Sequence, residues 1–236
     1  MDSTTAYEQR RSQIEHYFDR TAADAWARLT SNEPVGRIRA TVRAGRDTMR
    51  NTLLSWLPQD MRGLRLLDAG CGTGALALQA AQRGAEVVAI DLSPTLVKLA
   101  AERMAAEHPS LPGSVRFLSG DMLSADLGDF DHVVCMDSLI HYDCEQIVQA
   151  LASLAPRVRR SMAFTFAPRT PLLALMHSAG RLFPRSDRSP SLSPVAHAAL
   201  QRRLRAHPGL QGWEDARMQR VARGFYTSQA WEWSRI

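Results

Sequence analysis

The stretch between residues 64 and 166 alternates short apolar runs with longer segments of helical pattern. The runs are five or six residues long and rich in Val, Leu and Phe, which is typical of strands buried on both faces of a sheet. Strands separated by helices predict βαβ units and a parallel sheet. The predicted strands are 64–68, 86–90, 114–118, 132–136 and 161–166.

Helix signals fill the gaps between these strands. Ser93 followed by Pro94 is typical of a helix start, and Pro109 marks the end of that helix. Between residues 144 and 155, apolar side chains recur at helical spacing on one face. A Ser-, Pro- and Arg-rich stretch, a helix near 195–206 and two β-like runs, around Trp213 and in 224–233, follow the fifth strand. We expect the two runs to complete the sheet.

Composition limits the possible environments. The 236-residue chain carries a formal net charge of +5. A basic surface suits acidic substrates, anionic membranes or nucleic acid, and does not by itself choose among them. The chain lacks a run of about 18 apolar residues, and its first residues lack the apolar core of a secretory signal, so we expect a cytoplasmic protein. Cys71, Cys135 and Cys144 show no C-x-x-C spacing, which favours a reducing compartment and predicts no zinc site.

The strongest motif is LLDAGCGTGALA, residues 66–77, in which a strand leads through a glycine-rich turn into a helix. Its three glycines let the backbone turn tightly and approach a ligand at the helix amino terminus. The dinucleotide fingerprint G-x-G-x-x-G/A fits only with Ala75 as its last residue. Asp68 would repel a pyrophosphate and attract a cation. The motif therefore favours S-adenosylmethionine, which carries an α-ammonium and a sulfonium but no phosphate, over a dinucleotide.

Two further carboxylates follow strand ends. Asp91 comes about 20 residues after the loop, where an acid can accept hydrogen bonds from ribose hydroxyls. Asp121 could meet an adenine amine, and the neighbouring Met122 and Leu123 could cover the adenine ring. All these signals converge on one methyl donor. The predicted cofactor-binding residues are Asp68, Gly70, Cys71, Gly72, Thr73, Gly74, Asp91, Leu92, Asp121, Met122, Leu123, Asp137 and Ser138.

This succession of motifs resembles the class I S-adenosylmethionine-dependent methyltransferases. The resemblance implies a Rossmann-like α/β fold whose seven-stranded sheet has an antiparallel last strand. We expect a single methyltransferase domain with four parts. These are an N-terminal helical cap (1–58), a cofactor-binding core (59–166), an inserted lid and helix (167–208) and terminal strands (209–236).

Polar residues follow the fourth predicted strand in MDSLIHYD, residues 136–143. Ligands of such sheets bind beyond the carboxyl ends of the strands, so we expect His141 to lie near the transferred methyl group. It could act as general base for a hydroxyl or amine, since an unperturbed histidine has a pKa of about 6.5. It could instead be a hydrogen-bonding clamp for a carboxylate, which is already ionised at neutral pH. A purely structural role, capping the following helix, is the third possibility.

Several stretches carry a narrower resemblance. YFDRTAADAWARLT (17–30), RIRATVRAGRDTM (37–49), LIHY, FTFAPRT and GFYTSQ together resemble the magnesium-protoporphyrin IX methyltransferases of bacteriochlorophyll and chlorophyll synthesis. The similarity runs from about residue 15 to the end of the chain. It implies methyl transfer from S-adenosylmethionine to one propionate of the magnesium porphyrin, leaving S-adenosylhomocysteine. It further implies that His141 orients that propionate; Asp137 and Tyr17 complete the predicted catalytic set.

Other segments suggest contacts with the substrate or with partners. The arginines between residues 39 and 50 recur at helical spacing and form one stripe of a predicted helix. This stripe could meet propionates, an acidic partner or lipid headgroups, or be merely solvated. Apolar side chains of the insertion could cover the macrocycle, enter a membrane interface or pack on the sheet. Tyr17, Phe18 and Trp26 could close over the cofactor as a lid. The stripe is Arg39, Arg43, Arg46 and Arg50, and the insertion carries Leu172, Leu173, Leu175, Met176, Leu182 and Phe183.

The resulting hypothesis names a magnesium porphyrin as substrate, with docking to magnesium chelatase and peripheral contact with the photosynthetic membrane as further expectations. The magnesium should arrive with the porphyrin, where His177 could supply an axial ligand, so no protein metal site is predicted. One alternative is methylation of a hydroxyl on a quinone-like molecule, with His141 as base. A second is a nonenzymatic carrier of cofactor or porphyrin. A nucleic-acid methyltransferase is disfavoured, because DSLIHY lacks the N-P-P-Y-like strand end of amino-methylating DNA enzymes.

Overall fold

The structure is a computed structural model that describes residues 3–21, 36–169 and 192–236. Seven strands form one sheet in the order β3-β2-β1-β4-β5-β7-β6. The strands β1 to β5 are parallel, and β7 pairs antiparallel with both β5 and β6. This topology confirms the predicted seven-stranded sheet with an antiparallel last strand. The strands are β1 Arg65–Ala69, β2 Glu86–Asp91, β3 Ser114–Ser119, β4 Phe130–Cys135, β5 Val158–Phe166, β6 Trp213–Arg223 and β7 Tyr226–Arg235.

Two strands begin earlier than the apolar pattern predicts. β4 starts at Phe130 and β5 at Val158, because polar side chains at these ends are compatible with strand pairing. Asp131 is buried within β4, where its Oδ2 accepts a hydrogen bond from the backbone N–H of Arg65, 2.9 Å away. Arg159 and Arg160 are exposed. Charged residues in these positions hide the strand starts from a search for apolar runs.

Helices cover the sheet. They are α1 Ser3–His16, α2 Arg37–Trp56, α3 Ala75–Gln82, α4 Pro94–Glu107, α5 Cys144–Leu154 and α6 His197–Ala206; a wide turn, Tyr17–Thr21, follows α1. The hydroxyl of Ser93 caps α4 by accepting from the Leu96 N–H, with Pro94 in the first turn. Asp143 caps α5 in a reciprocal capping box with Gln146. The interpretation of His141 as the cap of α5 is therefore wrong.

Apolar side chains fill both faces of the sheet. One core packs aromatic residues of β4, β5 and β7, among them Phe164 and Trp231, whose ring centroids lie 5.9 Å apart. The other core packs α2 and α3 against the sheet through residues such as Met49 and Leu53, both fully buried. Each such side chain contributes about 1.5–3 kcal/mol on burial. The two cores hold the carboxyl ends of the strands in a fixed frame.

The strand order determines where a ligand can bind. The chain runs from β1 outward through β2 to β3 and then returns to β4 on the other side of β1. In open sheets of this kind the crevice at the reversal point, beyond the carboxyl ends of the two central strands, receives the ligand. The predicted insertion is described only at its ends, by a bridge between Pro168 and Val195 and by α6. Its apolar residues and His177 lie outside the described residues.

Candidate active site

A cleft that is partly open to solvent lies at this reversal point; the empty space within it, open solvent included, is about 690 Å³. Residues from the ends of β1, β2 and β4 and from α1 and α2 form its walls. The lining residues are Tyr7, Ile14, Phe18, Arg46, Gly70, Gly72, Ile90, Asp91, Leu92, Leu96, Gly120, Asp121, Met122, Met136, Asp137, Ser138, His141 and Tyr142.

The glycine-rich loop turns tightly between β1 and α3. The N–H groups of Gly70 and Cys71 both donate to the carbonyl oxygen of Ile90, at 2.8 and 3.0 Å. Gly70 has a φ of +87°, and Gly74, at the start of α3, has a φ of +76°. A Cβ at Gly70 would lie 2.4 Å from the Cβ of Ser138. Glycine is therefore required at position 70 by both conformation and space.

Asp91 supports the loop from β2. Its Oδ2 accepts from the Gly72 N–H at 2.8 Å, and its Oδ1 accepts from the Ser93 N–H at 3.0 Å. Burial raises the pKa of this carboxyl, and the backbone hydrogen bonds oppose that shift. Asp91 lines the cleft, and its contact with a ribose stays a prediction.

Asp68 is the most deeply buried acid of the site, with 1% of its surface exposed. Its Oδ2 has no hydrogen-bond partner in the described part of the chain. Burial, reinforced by the charge of Asp91, raises the pKa of Asp68 to about 7, against the opposing hydrogen bond from the Ala77 backbone. A buried acceptor without a donor is costly. An ammonium group would satisfy it, so Asp68 fits the cationic end of S-adenosylmethionine.

The amino-terminal helix contacts the third predicted acid. The hydroxyl of Tyr7 donates to Asp121 Oδ1 at 2.9 Å, and Nη1 of Arg11 lies 2.6 Å from Oδ2. Tyr7 also stacks on Tyr142, with ring centroids 5.4 Å apart. Met122 is buried in the cleft wall. Helix α1 thus borders the predicted adenine region, a contact that the sequence did not indicate because it joins residues over 100 positions apart.

Helix α1 and the wide turn after it lie against the predicted catalytic histidine. The Nε of Arg10 donates to the carbonyl oxygen of His141 at 2.7 Å, and the Phe18 ring lies 5.8 Å from the His141 ring. His141 itself is 5% exposed and lines the cleft. Tyr17 packs edge-on against Phe18, and it is Phe18 that lines the cleft. Trp26, the third aromatic of the predicted lid, lies outside the described residues.

Asp137 has an unusual conformation just after β4. It is the one non-glycine residue with positive φ, +56°, among those the structure describes. Its Oδ2 lies 2.6 Å from Nη1 of Arg46, and its Oδ1 lies 3.0 Å from the Tyr226 hydroxyl. The hydroxyls of Thr165 and Ser228 donate to Oδ1 at 3.3 and 3.4 Å. Four donors from α2, β5 and β7 therefore surround one carboxylate, a convergence that sequence reasoning missed.

The remaining predicted residues lie in or beside the loop and cleft. Ser138 lines the cleft, and its buried hydroxyl has no hydrogen-bond partner within the described residues. Leu92 lines the cleft as well, whereas the N–H of Leu123 donates to Asp121 Oδ1 at 2.9 Å. Thr73 is half-buried in the loop. Burial raises the pKa of the Cys71 thiol, so this residue serves as a small neutral side chain.

The arginine stripe of α2 divides into different environments. Arg46 turns into the cleft, and Arg50 pairs with Asp47 at 2.8 Å. Arg39 is exposed, and Arg43 is half-buried. Within the described ranges, no three His, Cys, Asp or Glu side chains form a group that could hold a metal ion. In the same part of the chain, no helix combines the length and apolarity needed to cross a membrane.

Two family models match the sequence. The model of the magnesium-protoporphyrin IX methyltransferase C-terminus matches residues 135–235. A general methyltransferase-domain model matches residues 66–161, which include the glycine loop. The two matches together cover the carboxyl ends of all five parallel strands.

Relatives match along nearly the whole chain. The magnesium-protoporphyrin O-methyltransferase of Rhodobacter capsulatus is 48% identical over 228 residues, 96% of this chain and 97% of that protein. The chloroplastic magnesium protoporphyrin IX methyltransferase of Arabidopsis thaliana is 32% identical over 92% of this chain and 68% of its own. The crystal structure of magnesium protoporphyrin IX methyltransferase from Synechocystis PCC 6803 with bound S-adenosylhomocysteine has a TM-score of 0.83 at 29% identity, covering 95% of this chain and 99% of that chain. The chain therefore belongs to the magnesium-protoporphyrin IX methyltransferases.

Proposed function

We propose that the protein transfers a methyl group from S-adenosylmethionine to one propionate carboxylate of magnesium-protoporphyrin IX, giving the monomethyl ester and S-adenosylhomocysteine. The observation that carries this proposal is the family match over nearly the full length of the chain and of its bacterial relative. The cleft supports the cofactor part, because a buried oxygen of Asp68 lacks a donor and a glycine loop lies beside it.

The residues present fit the cofactor. Asp68 would hold its ammonium group, Asp91 its ribose, and Asp121 with Met122 its adenine. When bound, S-adenosylmethionine supplies a methyl group on a positively charged sulfur, which is the electrophile of the reaction. Asp91 in the cleft wall and Asp68, buried at the end of β1, favour a cationic ligand.

The acceptor needs alignment more than activation. A propionate, with a pKa near that of glutamic acid, about 4.3, is already ionised at neutral pH. Holding such a nucleophile in line can lower a barrier by about 7 to 11 kcal/mol in well-oriented systems. We propose that His141 donates a hydrogen bond to the propionate. We propose that Tyr17 acts indirectly, by supporting Phe18 in the cleft wall, which agrees with its edge-on packing.

The reaction itself is the test. Purified protein incubated with labelled S-adenosylmethionine should convert magnesium-protoporphyrin IX to a monoester, detected by mass spectrometry. Metal-free protoporphyrin should be a poorer substrate. Turnover of a catechol or quinol without any porphyrin ester would contradict the proposal and support the hydroxyl-methylating alternative.

His141→Gln should lower the rate of methyl transfer and leave cofactor affinity nearly unchanged. Glutamine keeps a hydrogen-bond donor but cannot act as a base. Because we propose that His141 is a clamp and not a base, the residual rate of the variant should show the same pH profile as the wild type. Single-turnover methyl transfer between pH 5.5 and 8 is the measurement. A wild-type rate that disappears below about pH 6.5, the usual range of histidine titration, would instead identify a general base.

We propose that the protein also contacts a membrane surface peripherally. Ile38 and Phe225 are 58% and 55% exposed, and Arg37, Arg39 and Arg223 nearby in sequence are exposed. Exposed apolar and basic side chains together suit anionic lipid headgroups. Co-sedimentation with anionic and neutral vesicles tests this proposal. Absence of binding to both kinds of vesicle would refute it. Docking to magnesium chelatase remains an expectation, to be tested by co-purification.

A further inference from the structure

The cleft presents an electrostatic conflict for the proposed substrate. Asp91, Asp121 and Asp137 line it, and Asp68 is buried at the end of β1. Arg11 pairs with Asp121 and Arg46 pairs with Asp137. Acids in this region suit a cationic cofactor, but magnesium-protoporphyrin IX carries two propionates, which any carboxylate without a cationic partner repels. A site that accepts both ligands therefore needs a cation near the acceptor.

Arg46 is the residue of the cleft wall that could provide this cation. Of the described residues that line the cleft, it is the one arginine, and none of them is lysine. Its side chain is 18% exposed, so the guanidinium is largely shielded from water. A shielded charge acts more strongly on a ligand than an exposed one. A guanidinium also presents its donors in a planar fork that matches a carboxylate.

The surroundings hold this guanidinium in one orientation. Asp137 lies 2.6 Å from its Nη1, and the hydroxyls of Tyr226, Thr165 and Ser228 donate to the same carboxylate. Asp137 therefore has three hydroxyl donors besides Arg46. Arg46 is thus not the sole partner of this carboxylate.

The backbone beside Arg46 is fixed as well. Gly45 packs against Tyr226 so closely that a Cβ there would lie 2.6 Å from the Tyr226 Cβ. This contact joins α2 to β7 at the point where the Tyr226 hydroxyl reaches Asp137. The backbone of α2 next to Arg46 is therefore held in place by its packing against β7.

We propose that Arg46 binds a propionate carboxylate of the porphyrin and that Asp137 is a positioning residue that holds the Arg46 guanidinium. The inference rests on the proposed function and names the residue that recognises the substrate class. It also assigns a role to the positive φ of Asp137, which carries the carboxylate toward α2.

Equilibrium binding separates this role from a structural one. Magnesium-protoporphyrin IX and its dimethyl ester are titrated into protein saturated with S-adenosylhomocysteine, and porphyrin fluorescence is followed. The wild type should prefer the diacid. Arg46→Met should lose about 10- to 100-fold of that preference, the usual effect of a charge-assisted hydrogen bond. Arg39→Met, on the same helix but exposed, should keep the preference.

Further variants distinguish this role from a folding defect and from a role in which Arg46 only neutralises Asp137. Arg46→Lys keeps the charge and loses the fork, so it should retain part of the preference. Affinity for S-adenosylhomocysteine should stay within about threefold in the single Arg46 and Arg39 variants, since a structural collapse would remove it. If Arg46 only neutralised Asp137, the double variant Arg46→Met/Asp137→Asn would regain the diacid preference, and that result would overturn the inference.

Binding of the monomethyl ester shows which of the two propionates Arg46 contacts. If Arg46 binds the propionate that does not react, the affinity of the monoester should remain sensitive to Arg46→Met. If Arg46 binds the reacting one, that sensitivity should disappear, and either result supports the inference. A wild type that neither binds nor methylates the diacid refutes the proposed function itself. A wild type that does both, with Arg46→Met preserving the diacid preference, refutes only the role of Arg46.

Discussion

Asp68→Asn should weaken binding of S-adenosylhomocysteine by about 10- to 100-fold at pH 8, because one charge-assisted hydrogen bond is worth about 1.5–3 kcal/mol. The wild-type carboxylate is buried and its Oδ2 lacks a donor within the described residues. An ammonium ligand satisfies that oxygen and the negative charge together. An amide side chain of the same shape offers no charge and presents either its oxygen or its NH2 group.

The same substitution should stabilise the protein without ligand. Burial raises the pKa of Asp68 from its ordinary 3.8 to about 7 in the folded state. The folded form therefore binds a proton more tightly than the unfolded form, and stability falls as pH rises from about 4 to 7. A shift of this size corresponds to about 4 kcal/mol against the ionised form above pH 7. Asparagine, also a buried polar group, should recover a part, on the order of 2 kcal/mol.

Binding should show the opposite pH dependence. Because the ammonium ligand favours the ionised carboxylate, affinity should rise as pH increases through about 7 and level off above it. Asp68→Asn should abolish that rise. Calorimetric titration at pH 6, 7 and 8, with urea unfolding of the ligand-free protein at the same pH values, measures both effects. Asp129→Asn, at an exposed carboxylate, is the control. Unchanged affinity in Asp68→Asn would contradict the assigned role.

The features that the sequence predicted are those that depend on local pattern. Asp68, Asp91 and Asp121 each follow an apolar run, and carboxyl ends of parallel strands meet at one edge of the sheet. The strand assignment alone therefore predicts that these three acids lie close together. The glycine loop is local too, since its turn needs positive φ within a few residues.

The features that it did not predict depend on contacts between distant segments. Tyr226 reaches Asp137 across 89 positions and Arg46 reaches it across 91. The antiparallel pairing of β7 with β5 brings Tyr226 and Ser228 there, and no sequence spacing encodes that register. Arg46 was predicted only as one member of a stripe, because helical periodicity does not tell which arginine turns inward.

The aromatic residues after α1 were predicted as a lid over the cofactor, and Tyr17 also as a member of the catalytic set. Phe18 lines the cleft, and Tyr17 packs edge-on against it. The wide turn at Tyr17–Thr21 changes the angle between successive residues from that of an α-helix, so the sequence alone does not tell which of two neighbouring rings faces the cleft. The catalytic role of Tyr17 stays a prediction.

Gly70→Ala should destabilise the protein by about 2 to 5 kcal/mol and sharply reduce cofactor affinity. The φ of +87° costs a residue with a Cβ about 1–2 kcal/mol, and the added methyl would lie 2.4 Å from the Ser138 Cβ, which adds about 1–3 kcal/mol of overpacking. The neighbouring atom is a Cβ attached directly to the backbone, so the clash cannot be relieved by rotating a side chain. The loop or the end of β4 must move, and both line the cleft.

Gly63→Ala is the matched control for this prediction. Gly63 has a similar φ, +73°, but a Cβ there would meet no atom within 4 Å. The Gly63→Ala variant should therefore lose only about 1–2 kcal/mol of stability, from backbone strain, which is the same as the conformational part of the Gly70→Ala effect. It should keep its affinity for S-adenosylhomocysteine. Urea unfolding and calorimetry of both variants separate conformation from space. Equal losses of stability with intact binding in both would mean that Gly70 is needed for its φ alone, and that the close approach to Ser138 does not shape the cofactor site.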